Sequence, residues 1–390
     1  MISVSEARTA LFKLVEPLPG EDVPLIDAAG RVLAAKVVAR RDQPPFAASS
    51  MDGYAVKRAE VELHAMFKVI GESAAGSRFD ATVGAGQAVR IFTGAPMPDG
   101  TDFVVIQEDT TRSGDLITIT DDPGSKDNVR PAGVDFTVGT TMSAPRILTP
   151  QDVALLASMN VPQVPVTCKP VVAILATGDE LVMPGETPGP DQIIASNSFG
   201  LKAMLEQLGA TARVLPIARD TLSSLRTAFD LARGADVVVT IGGASVGDYD
   251  LVGQAAADLD MEQSFYKVAM RPGKPLMAGR MGEMAMVGLP GNPVSAMVCG
   301  YIFLAPMIRY MLGLGTDLPP LHHARLSADL DQNGPREHYM RAVVDGDDLR
   351  VFNNQDSSLL TVLSQANALL VRAPDDPPLQ AGSQVSYLPL

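Results

Sequence analysis

The sequence predicts a multidomain fold of α/β plus β type: a parallel α/β three-layer domain combined with a small β domain, a helical linker domain and a C-terminal β domain. The chain has 390 residues, which is more than one ordinary hydrophobic core holds. Apolar strands alternate with helices from about residue 169 to 317, an order typical of a parallel sheet covered on both faces. Short strands between Gly, Pro and Asp turns fill long stretches on either side.

The helical linker domain is predicted from two separated segments, 1–40 and 141–168. Near the start of the first segment, Ser3 and Glu6 have the spacing of a capping box. The second segment contains LTPQDVALLASMN, in which Thr149 can cap a helix that starts with a proline. We expect the two segments to pack together as one discontinuous domain that is mostly helical.

The intervening residues 41–140 predict the small β domain, with strands at FKVIG, AVRIFTG, FVVIQED and DLITIT. Asp52 lies in the stretch PPFAASSMDGYAV. An Asp-Gly pair is typical of a hairpin turn, but the prolines and serines that precede it favour a long, positioned loop. Thr93 follows the end of a strand, and Arg130 and Asp135 lie in a loop rich in Gly and Pro.

Residues 169–317 form the predicted α/β domain, and four turns belong at the carboxyl ends of its strands: ATGDEL, RD, GGASVGDYD and GLPGNPVS. Ligands bind at this edge of open α/β sheets. Glycines allow a ligand to approach the backbone closely, whereas the carboxylates of Glu180, Asp220, Asp248 and Asp250 would repel a phosphate. A hard cation such as Mg²⁺, held by carboxylates and substrate phosphates, resolves this conflict. The alternative is that two of these carboxylates merely cap helices.

Basic and helix-terminal groups are predicted beside this acidic edge. GLPGNPVS opens a long helix in which Asn292 can cap and Pro293 suits the first position. The amides of the first turn, including that of Val294, would then favour an anion. In MRPGKP, Arg271 and Lys274 flank a Pro-Gly turn. Such residues are commonly just solvated, but the anion site implied nearby favours oxyanion binding.

The C-terminal residues 318–390 contain several short strand patterns and predict a further β domain. Arg341 lies in the strand HYMRAVV, Ser357 in NNQDSSLL and Ser364 in LSQANALLV. These three residues carry little information alone. Arg341 is as readily an exposed ion-pair residue on its strand as a ligand-binding one.

Composition argues against several classes of protein. The net charge of −14 disfavours broad binding to nucleic acid or to an anionic membrane. No apolar run reaches the roughly 20 residues of a membrane span, and the N-terminus lacks the basic flank and apolar centre of a signal peptide. The two cysteines form neither a disulfide framework nor a CxxC pair, and the four histidines show no zinc spacing. We therefore expect a cytoplasmic protein.

Taken in order, these motifs resemble those of the molybdopterin molybdenumtransferase family, which includes MoeA of bacteria and the E domain of gephyrin of animals. The matching motifs are PPF…SSMDGYAV, TGAPMPDGTDFVVIQED, NVRPAGVD, ATGDEL, SNSFGL, GGASVGDYD, RPGKP and GLPGNPVS. The resemblance runs the length of the chain. Each motif is weak alone, whereas all of them in register are highly specific.

The resemblance implies an elongated homodimer with the active site between the subunits, where Asp52 acts on the α/β domain of the other copy. It implies a role in molybdenum cofactor biosynthesis. The implied reaction is Mg²⁺-dependent hydrolysis of adenylated molybdopterin, with release of AMP and transfer of molybdenum from molybdate to the dithiolene. A molybdopterin adenylyltransferase and recipient molybdoenzymes are the implied partners.

Carried over motif by motif, the resemblance implies candidate residues with three roles. The catalytic candidates are Asp52, Thr93, Glu180, Asp220, Asp250 and Lys274. The metal candidates are Glu180, Asp220 and Asp250. The substrate-binding or anion-binding candidates are Arg130, Asp135, Ser245, Gly247, Arg271, Pro290, Asn292, Pro293, Arg341, Ser357 and Ser364. Molybdate, a dianion, is expected to contact Arg341 and nearby hydroxyls. No covalent nucleophile is expected, since no Ser, Cys or His stands in an activated arrangement.

Two departures from the family pattern concern fine substrate contacts. Ala47 follows Phe46 where Asp or Asn is frequent. Arg271 stands where many members have Lys, which keeps the charge but changes its geometry to a planar fork. Two other functions stay open, namely adenylation of molybdopterin by the same type of α/β domain and a non-catalytic scaffold that binds partners. The β domain with its MDGYA motif argues against the first, and the intact acidic residues argue against the second.

Overall fold

The computed structural model describes residues 1–243, 251–258 and 261–390. The chain forms two compact units, one made of Met1–Glu21 with Thr167–Leu390 and the other of Asp22–Val166. The described helices are α1 Val4–Phe12, α2 Pro150–Ser158, α3 Asn197–Gln207, α4 Leu222–Ala232, α5 Leu251–Ala257, α6 Pro293–Cys299, α7 Ala305–Met311 and α8 Leu360–Gln365.

The predicted starts of α1 and α2 are confirmed. Ser3 caps α1 and Thr149 caps α2, and in both helices the acidic side chain at the third position returns a bond to the cap residue, which completes a capping box. Gly209 ends α3 with a φ of +94°, a conformation that favours glycine. These helix ends depend on residues within one turn of each other, so the local sequence suffices to place them.

The unit of Asp22–Val166 is built from short strands and one α-helix, α2. The strands of this part of the chain are β1 Gly20–Pro24, β2 Val32–Leu33, β3 Val37–Val38, β4 Ala48–Ser49, β5 Gly53–Val56, β6 Met66–Ser73, β7 Gln87–Ile91, β8 Phe103–Ile106, β9 Thr110–Ser113, β10 Leu116–Ile119, β11 Val129–Arg130, β12 Thr141–Met142, β13 Arg146–Ile147 and β14 Gln163–Thr167. One sheet has the order β8-β5-β7-β6-β10-β9 and another the order β1-β14-β2-β13. The first encloses a core that includes Val56, Phe67, Phe103 and Ile117.

The segment 1–40 differs from its predicted helical character beyond α1. Residues 32–38 form the strands β2 and β3, which pair with β13 and β12 and bury Leu33 and Val37 with α2 in one core. β-Branched residues suit such pairing better than a helix. The helix α1 lies in the other unit, where the Phe12 ring stands 5.3 Å from that of Tyr310 on α7. Residues 1–21 of the first segment therefore lie in the other unit, whereas side chains from residues 23–39 and 142–166 share one hydrophobic core.

The unit of Met1–Glu21 with Thr167–Leu390 contains the α/β sheet, which is formed by residues 171–289. The strands in this range are β15 Val171–Ala176, β16 Leu181–Val182, β17 Ile193–Ile194, β18 Thr211–Val214, β19 Val237–Ile241, β20 Glu262–Tyr266, β21 Met270–Arg271, β22 Met277–Met281 and β23 Met284–Leu289. The sheet order is β18-β15-β19-β23-β22-β20. The first four strands are parallel, as predicted, and β22 and β20 extend the sheet in antiparallel fashion.

Burial explains why these strands were recognisable. All five residues of β19 are buried, as expected for a central parallel strand with helices on both faces. On one face Phe229 and Ala232 of α4 pack with Ala255 of α5 and with strand side chains that include Val238. The antiparallel strand β22 was missed because LMAGRM is short and contains a glycine that weakens the strand pattern.

The C-terminal residues form a closed β structure. Its strands are β24 His322–Leu326, β25 Glu337–Asp345, β26 Asp348–Val351, β27 Ala368–Arg372 and β28 Gln384–Pro389. The hydrogen-bonded order β25-β26-β24-β28-β27 closes because β27 also pairs with β25. The strand β21 pairs in parallel with β25, so the chain segment that carries Arg271 lies directly beside this barrel.

The helical stretch Pro293–Met311 has the length and apolar composition of a membrane span, with a mean hydropathy of 1.4 in its most apolar window. However, 72% of that window is buried inside the structure. Val294, Val298 and Phe303 are almost completely inaccessible. This stretch is therefore best described as a core helix.

Candidate functional site

A cleft of about 1220 Å³ opens at the carboxyl ends of β15, β19 and β23. It is the edge at which open α/β sheets bind ligands. Four turns contribute to its lining: the turn of Gly178 to Leu181 after β15, Asp220 after β18, Gly242 and Gly243 after β19, and Pro290 to Pro293 after β23. The structure therefore brings together four chain segments that the sequence had assigned to one edge.

Glu180 and Asp220 both line this cleft, and the turns that carry them are joined through Asp179. The amide of Asp220 donates to Oδ1 of Asp179 at 3.2 Å, and the amide of Asp179 lies 3.4 Å from Oδ2 of Asp220. Each carboxylate thus accepts a bond from the backbone of the other turn. Asp179 was not among the candidates, because its partner lies 41 positions away in sequence.

The Glu180 carboxylate has no hydrogen-bond or ion-pair partner within the described part of the chain, and the residue is exposed. It stands over Gly178, whose φ is +147°. A Cβ at that glycine would come within 2.3 Å of Oε2 of Glu180. The backbone conformation therefore favours glycine at position 178, and a side chain there would displace the Glu180 carboxylate.

The glycine turn after β19 lies close to the turn after β23. Gly242 has a φ of +92°, and a Cβ there would come within 2.8 Å of the Thr177 backbone oxygen. A Cβ at Gly291 would come within 3.7 Å of the Cα of Gly242. Because Gly242 and Gly291 have no side chains, the two turns lie close together and the space above the edge of the sheet stays open. The candidates Ser245, Gly247 and Asp250, and with them Asp248, lie outside the described residues.

The turn before α6 departs from its prediction. The side chain of Asn292 does not cap the helix but donates from Nδ2 to Oγ of Ser357 at 3.0 Å. The Val294 amide, expected to face an anion, donates to the backbone oxygen of Ser357 at 3.1 Å. The loop of Ser357 thus occupies the hydrogen-bond donors at the first turn of α6. Val294 and Ser357 are 63 positions apart in sequence, so no local pattern predicts this contact. Pro290 and Pro293 remain in the lining of the cleft.

Three cationic candidates lie on two paired strands and the turn between the cleft and the barrel: Arg271 on β21, Lys274 just after it, and Arg341 on β25. Arg271 and Lys274 are exposed, and Pro275, the residue after Lys274, lines the cleft. Arg341 is completely buried, so the interpretation as an exposed ion-pair residue is wrong. Its Nε donates to Oε1 of Gln355 at 3.1 Å and its Nη1 to the backbone oxygen of Asp356 at 2.7 Å.

Arg341 therefore fixes the loop that holds Ser357 and Ser358, and Ser358 lines the cleft. Ser364 does not line the cleft. It lies exposed on α8, and its hydroxyl donates to the backbone oxygen of Thr361 at 3.0 Å.

His338 is a buried residue of this region that the sequence analysis did not single out. It pairs with Arg271 on one neighbouring strand and with Arg372 on the other. Burial, followed by the positive charges of Arg271, Arg341, Arg372 and Arg336, lowers the pKa of His338 to about 4. The imidazole is therefore neutral at pH 7, and the cationic character here comes from arginine and lysine.

In the unit of Asp22–Val166, Asp52 and Thr93 form a defined pair. The Thr93 amide donates to Oδ1 of Asp52 at 2.7 Å and its hydroxyl to the same oxygen at 2.8 Å. These two bonds, with a smaller contribution from Arg90, lower the pKa of the Asp52 carboxyl. Asp52 precedes β5 directly, so MDGYAV is neither a hairpin turn nor a long loop: it enters a buried strand at Gly53.

Arg90 is a further residue at this turn that the sequence analysis missed. Its Nη1 donates to the backbone oxygen of Gly53 at 3.0 Å, and its guanidinium lies over the rings of Tyr54 and Phe92. The Arg130 candidate lies in the short strand β11, which pairs with β4, and not in a loop. Asp135 is exposed, and its amide donates to the backbone oxygen of Gln43.

Mg²⁺ is compatible with the described carboxylates only together with other ligands. Within residues 1–243, 251–258 and 261–390, no group of three or more His, Cys, Asp or Glu side chains is arranged to hold a metal ion. Glu180 and Asp220 supply two carboxylates at one cleft. Mg²⁺ typically uses one or two carboxylates with substrate phosphates and water, so this donor set fits an ion that binds with its substrate.

Family models match the chain in three consecutive segments. The MoeA N-terminal region (domain I and II) matches residues 2–160, a probable molybdopterin binding domain matches residues 173–310, and the MoeA C-terminal region (domain IV) matches residues 323–390. The described cleft lies within the second of these segments, with the loop of Ser358 from the third.

Curated relatives match over most of the chain. A molybdopterin molybdenumtransferase of Nostoc sp. is 36% identical and covers 100% of this chain and 94% of its own length. Molybdopterin molybdenumtransferase 2 of Mycobacterium tuberculosis is 33% identical over 99% of this chain and 98% of its own. A relative of the same name from Haemophilus influenzae is 35% identical over 84% of this chain and 82% of its own.

Solved structures of proteins from the same family have a similar fold along the whole chain. Two crystal structures titled as molybdopterin biosynthesis MoeA protein from Pyrococcus horikoshii have TM-scores of 0.85 and 0.84 with this chain. They are 28% and 26% identical in sequence, and cover 99% and 100% of this chain and 98% and 100% of their own lengths. The three matched segments and the full-length relatives at 33% to 36% identity show that the chain belongs to the MoeA family of molybdopterin molybdenumtransferases.

Proposed function

We propose that this chain hydrolyses adenylated molybdopterin and transfers molybdenum from molybdate to the molybdopterin dithiolene, with release of AMP. Family membership gives it a coarser role, that of a transferase in molybdenum cofactor biosynthesis. The observation that carries the finer proposal is the composition of the cleft. Glu180 and Asp220 line the same space as the bare turn of Gly242 and Gly243 and the start of α6.

The acidic part of the cleft is proposed to serve the adenylate phosphates. Glu180 and Asp220 are the residues that would hold Mg²⁺. When bound there, the ion offsets the negative charge of the phosphates and of the leaving AMP. The Glu180 carboxylate suits this role because no described residue occupies its oxygens. The glycines after β19 allow a phosphate to approach the backbone without a side chain in between.

The cationic residues beside the cleft are proposed to hold molybdate. Arg271 and Lys274 are exposed and offer charge and hydrogen-bond donors to a tetrahedral dianion. Arg341 contributes through its buried charge and through the loop that it holds, because its Nε and Nη1 already donate to Gln355 and Asp356. The serine hydroxyls of this loop are then the neutral donors beside the cations.

The proposed assembly is a cytoplasmic homodimer with its active site between the subunits. In this proposal, Asp52 of one subunit acts on the cleft of the other, with Thr93 holding its carboxylate in place. The motif that carries Asp52 falls in the matched MoeA N-terminal region, which a molybdopterin-binding domain alone lacks. A molybdopterin adenylyltransferase as supplier and molybdoenzymes as recipients are the proposed partners.

The test is AMP release from adenylated molybdopterin, measured with Mg²⁺ and molybdate together and with each omitted. We expect release that requires both ions and is strongly reduced in Glu180→Ala and in Asp52→Ala. Glu186→Gln is the control for Glu180. Glu186 bonds the Met183 amide in the neighbouring loop and does not line the cleft.

Binding of molybdopterin without any AMP release would contradict the proposal and favour a binding or scaffold protein. Mixing the Asp52→Ala and Glu180→Ala chains provides a check on the assembly. A shared site predicts that mixed dimers recover part of the activity, because one of their two clefts is intact. No recovery after verified subunit exchange would contradict a site built from two subunits.

A further inference from the structure

We propose that Arg219 is a positioning residue, which holds the turn of Glu180 in the geometry that the proposed cation and phosphate site requires. This inference rests on the proposed function and deepens it, since Arg219 is not among the candidate residues that the family motifs supplied. Arg219 does not line the cleft. It therefore acts on Glu180 through the backbone and does not touch the reacting groups.

Arg219 contacts the backbone of the residues directly before and directly after Glu180. Its Nη1 lies 3.1 Å from the backbone oxygen of Asp179 and 3.1 Å from that of Leu181. The backbone oxygen of Gly178 lies 3.4 Å from the same nitrogen. A single guanidinium thus gathers the carbonyls directly before and after Glu180, so the peptide groups of the turn cannot rotate without losing a charge-assisted bond.

Arg219 is itself anchored at the start of α4. Its amide donates to Oγ of Ser224 at 2.9 Å, and its carbonyl accepts a bond from the Thr221 amide at 2.7 Å. Thr221 caps α4 through the amide of Ser224. The turn of Glu180 is therefore tied through Arg219 to a helix, and not to another loop.

Charge gives a second reason for an arginine at this place. The segments 177–181 and 218–221 contain three carboxylates and one cationic side chain, that of Arg219. Asp179 and Asp220 already accept bonds from each other's backbone, which holds their negative charges close together. Without the guanidinium, repulsion among Asp179, Glu180 and Asp220 would favour separation of the two turns.

Backbone motion is the first measurement, because it tests the positioning whether or not the chain releases AMP. Hydrogen–deuterium exchange of a peptide covering 176–182 reports on the turn through amides that include those of Gly178 and Leu181, which donate to the backbone oxygens of Ala218 and Gly178. We expect exchange in Arg219→Gln to be roughly tenfold faster than in the wild type, in line with loss of hydrogen bonds to a charged group. Arg219→Lys should restore part of the protection, since an ammonium keeps the charge without the planar fork.

Arg213→Gln is the matched control. Arg213 also uses a guanidinium nitrogen to bind two consecutive carbonyls, those of Ala232 and Arg233, at 3.1 and 3.2 Å. These carbonyls lie at the end of α4, before β19, and not at the carboxyl ends of the strands. We expect exchange of 176–182 to be unchanged in this variant.

Cation binding is the second measurement, with Mn²⁺ as the probe in the presence of AMP and free Mn²⁺ followed by electron paramagnetic resonance. Arg219→Gln should weaken Mn²⁺ binding roughly tenfold, Arg219→Lys less, and Arg213→Gln not at all. Unchanged exchange of 176–182 in Arg219→Gln, or equal acceleration in Arg213→Gln, would overturn the inference. If exchange is faster only in the Arg219 variants but the wild type binds no Mn²⁺, the positioning role is supported and the proposed cation site is contradicted.

Discussion

Two acidic turns, one in each compact unit, hold their carboxylates in opposite ways. Asp52 stands directly before β5, and its carboxylate itself accepts two hydrogen bonds from Thr93. Glu180 stands after β15, and there the backbone is held by Arg219, while the carboxylate has no partner in the described part of the chain. In the first turn the carboxylate itself is held in place, whereas in the second turn only the backbone next to the carboxylate is held.

This difference indicates different chemistry. A carboxylate that accepts two bonds has fewer lone pairs left, and its lowered pKa makes Asp52 a fixed negative charge and a poor proton acceptor at neutral pH. Glu180 keeps its oxygens available, as a metal ligand must. We therefore expect Asp52 to orient a ligand and Glu180 to coordinate one, and the following changes test that distinction from the largest expected effect to the smallest.

Neutral, nearly isosteric substitutions should separate the two turns most clearly. Glu180→Gln is expected to lower AMP release by about two to three orders of magnitude, as loss of one group that stabilises charge in the transition state does. Asp52→Asn keeps an oxygen that accepts the Thr93 bonds and should cost only about tenfold. The comparison requires initial rates at saturating Mg²⁺ and molybdate. Equal losses in the two variants would remove the distinction between an orienting and a coordinating carboxylate.

Two glycines with positive φ next to these turns provide the second comparison. In Gly178→Ala the new Cβ would meet the Glu180 carboxylate at 2.3 Å, so this flexible group must move away. We expect AMP release to fall roughly tenfold or more, besides backbone strain of about 1–3 kcal/mol. Gly94 follows Thr93 with a φ of +82° and open space around its missing Cβ. Gly94→Ala should show the strain without the larger loss of activity, and similar rates for both variants would contradict this view.

The two units should also differ in their response to acid. His338 has a pKa of about 4 in the folded chain and about 6.5 when unfolded, so between these values the unfolded state binds more protons. The stability of its unit should therefore fall as the pH drops from 7 to 5, by about 2 kcal/mol for this residue alone. His338→Gln should flatten that dependence in urea unfolding at the two pH values. An unchanged slope in the variant would show that His338 is not the group responsible.

The pH dependence that Asp52 contributes has the same sign as that of His338 but falls in a lower pH range. Because its folded pKa lies below the ordinary value, its contribution to stability is present above the unfolded pKa of about 4 and is lost as the pH falls below it. Thr93→Val removes the hydroxyl bond and should raise the pKa of Asp52 toward its usual range. Carbon-detected NMR titration of the carboxyl group measures this directly. Thr101→Val is a control, because the Thr101 hydroxyl donates to the Pro98 backbone oxygen and not to a carboxylate.

Much of the fold could be predicted because it is encoded locally. The capping boxes of α1 and α2, the glycine at the end of α3 and the buried strands β15 and β19 each depend on residues that are neighbours in sequence. The failures share one cause as well. Segment 32–38 was expected to be helical, yet it pairs with strands more than 100 positions away.

The candidate site shows the same division. Glu180, Asp220 and the glycine turns were placed at one edge by the rule for parallel sheets, and the structure brings them to one cleft. The anion-binding amide expected at Val294 is instead bonded to Ser357, and Arg341 is a buried support of the same loop. A sequence pattern shows which groups are available, but it does not show which of them another segment has already engaged.

The sequence by itself determined most of the element types, the turns rich in Gly and Asp, the acidic balance of the chain and the family motifs, because these depend on residue identity and short spacing. Only the tertiary structure decided which carboxylates are engaged and which remain available. The bonds of Asp52 to Thr93, Asp179 to Asp220 and Arg219 to the turn of Glu180 each span about 40 positions. Contacts at that separation form only when packing brings the segments together, since no local preference of the chain encodes them.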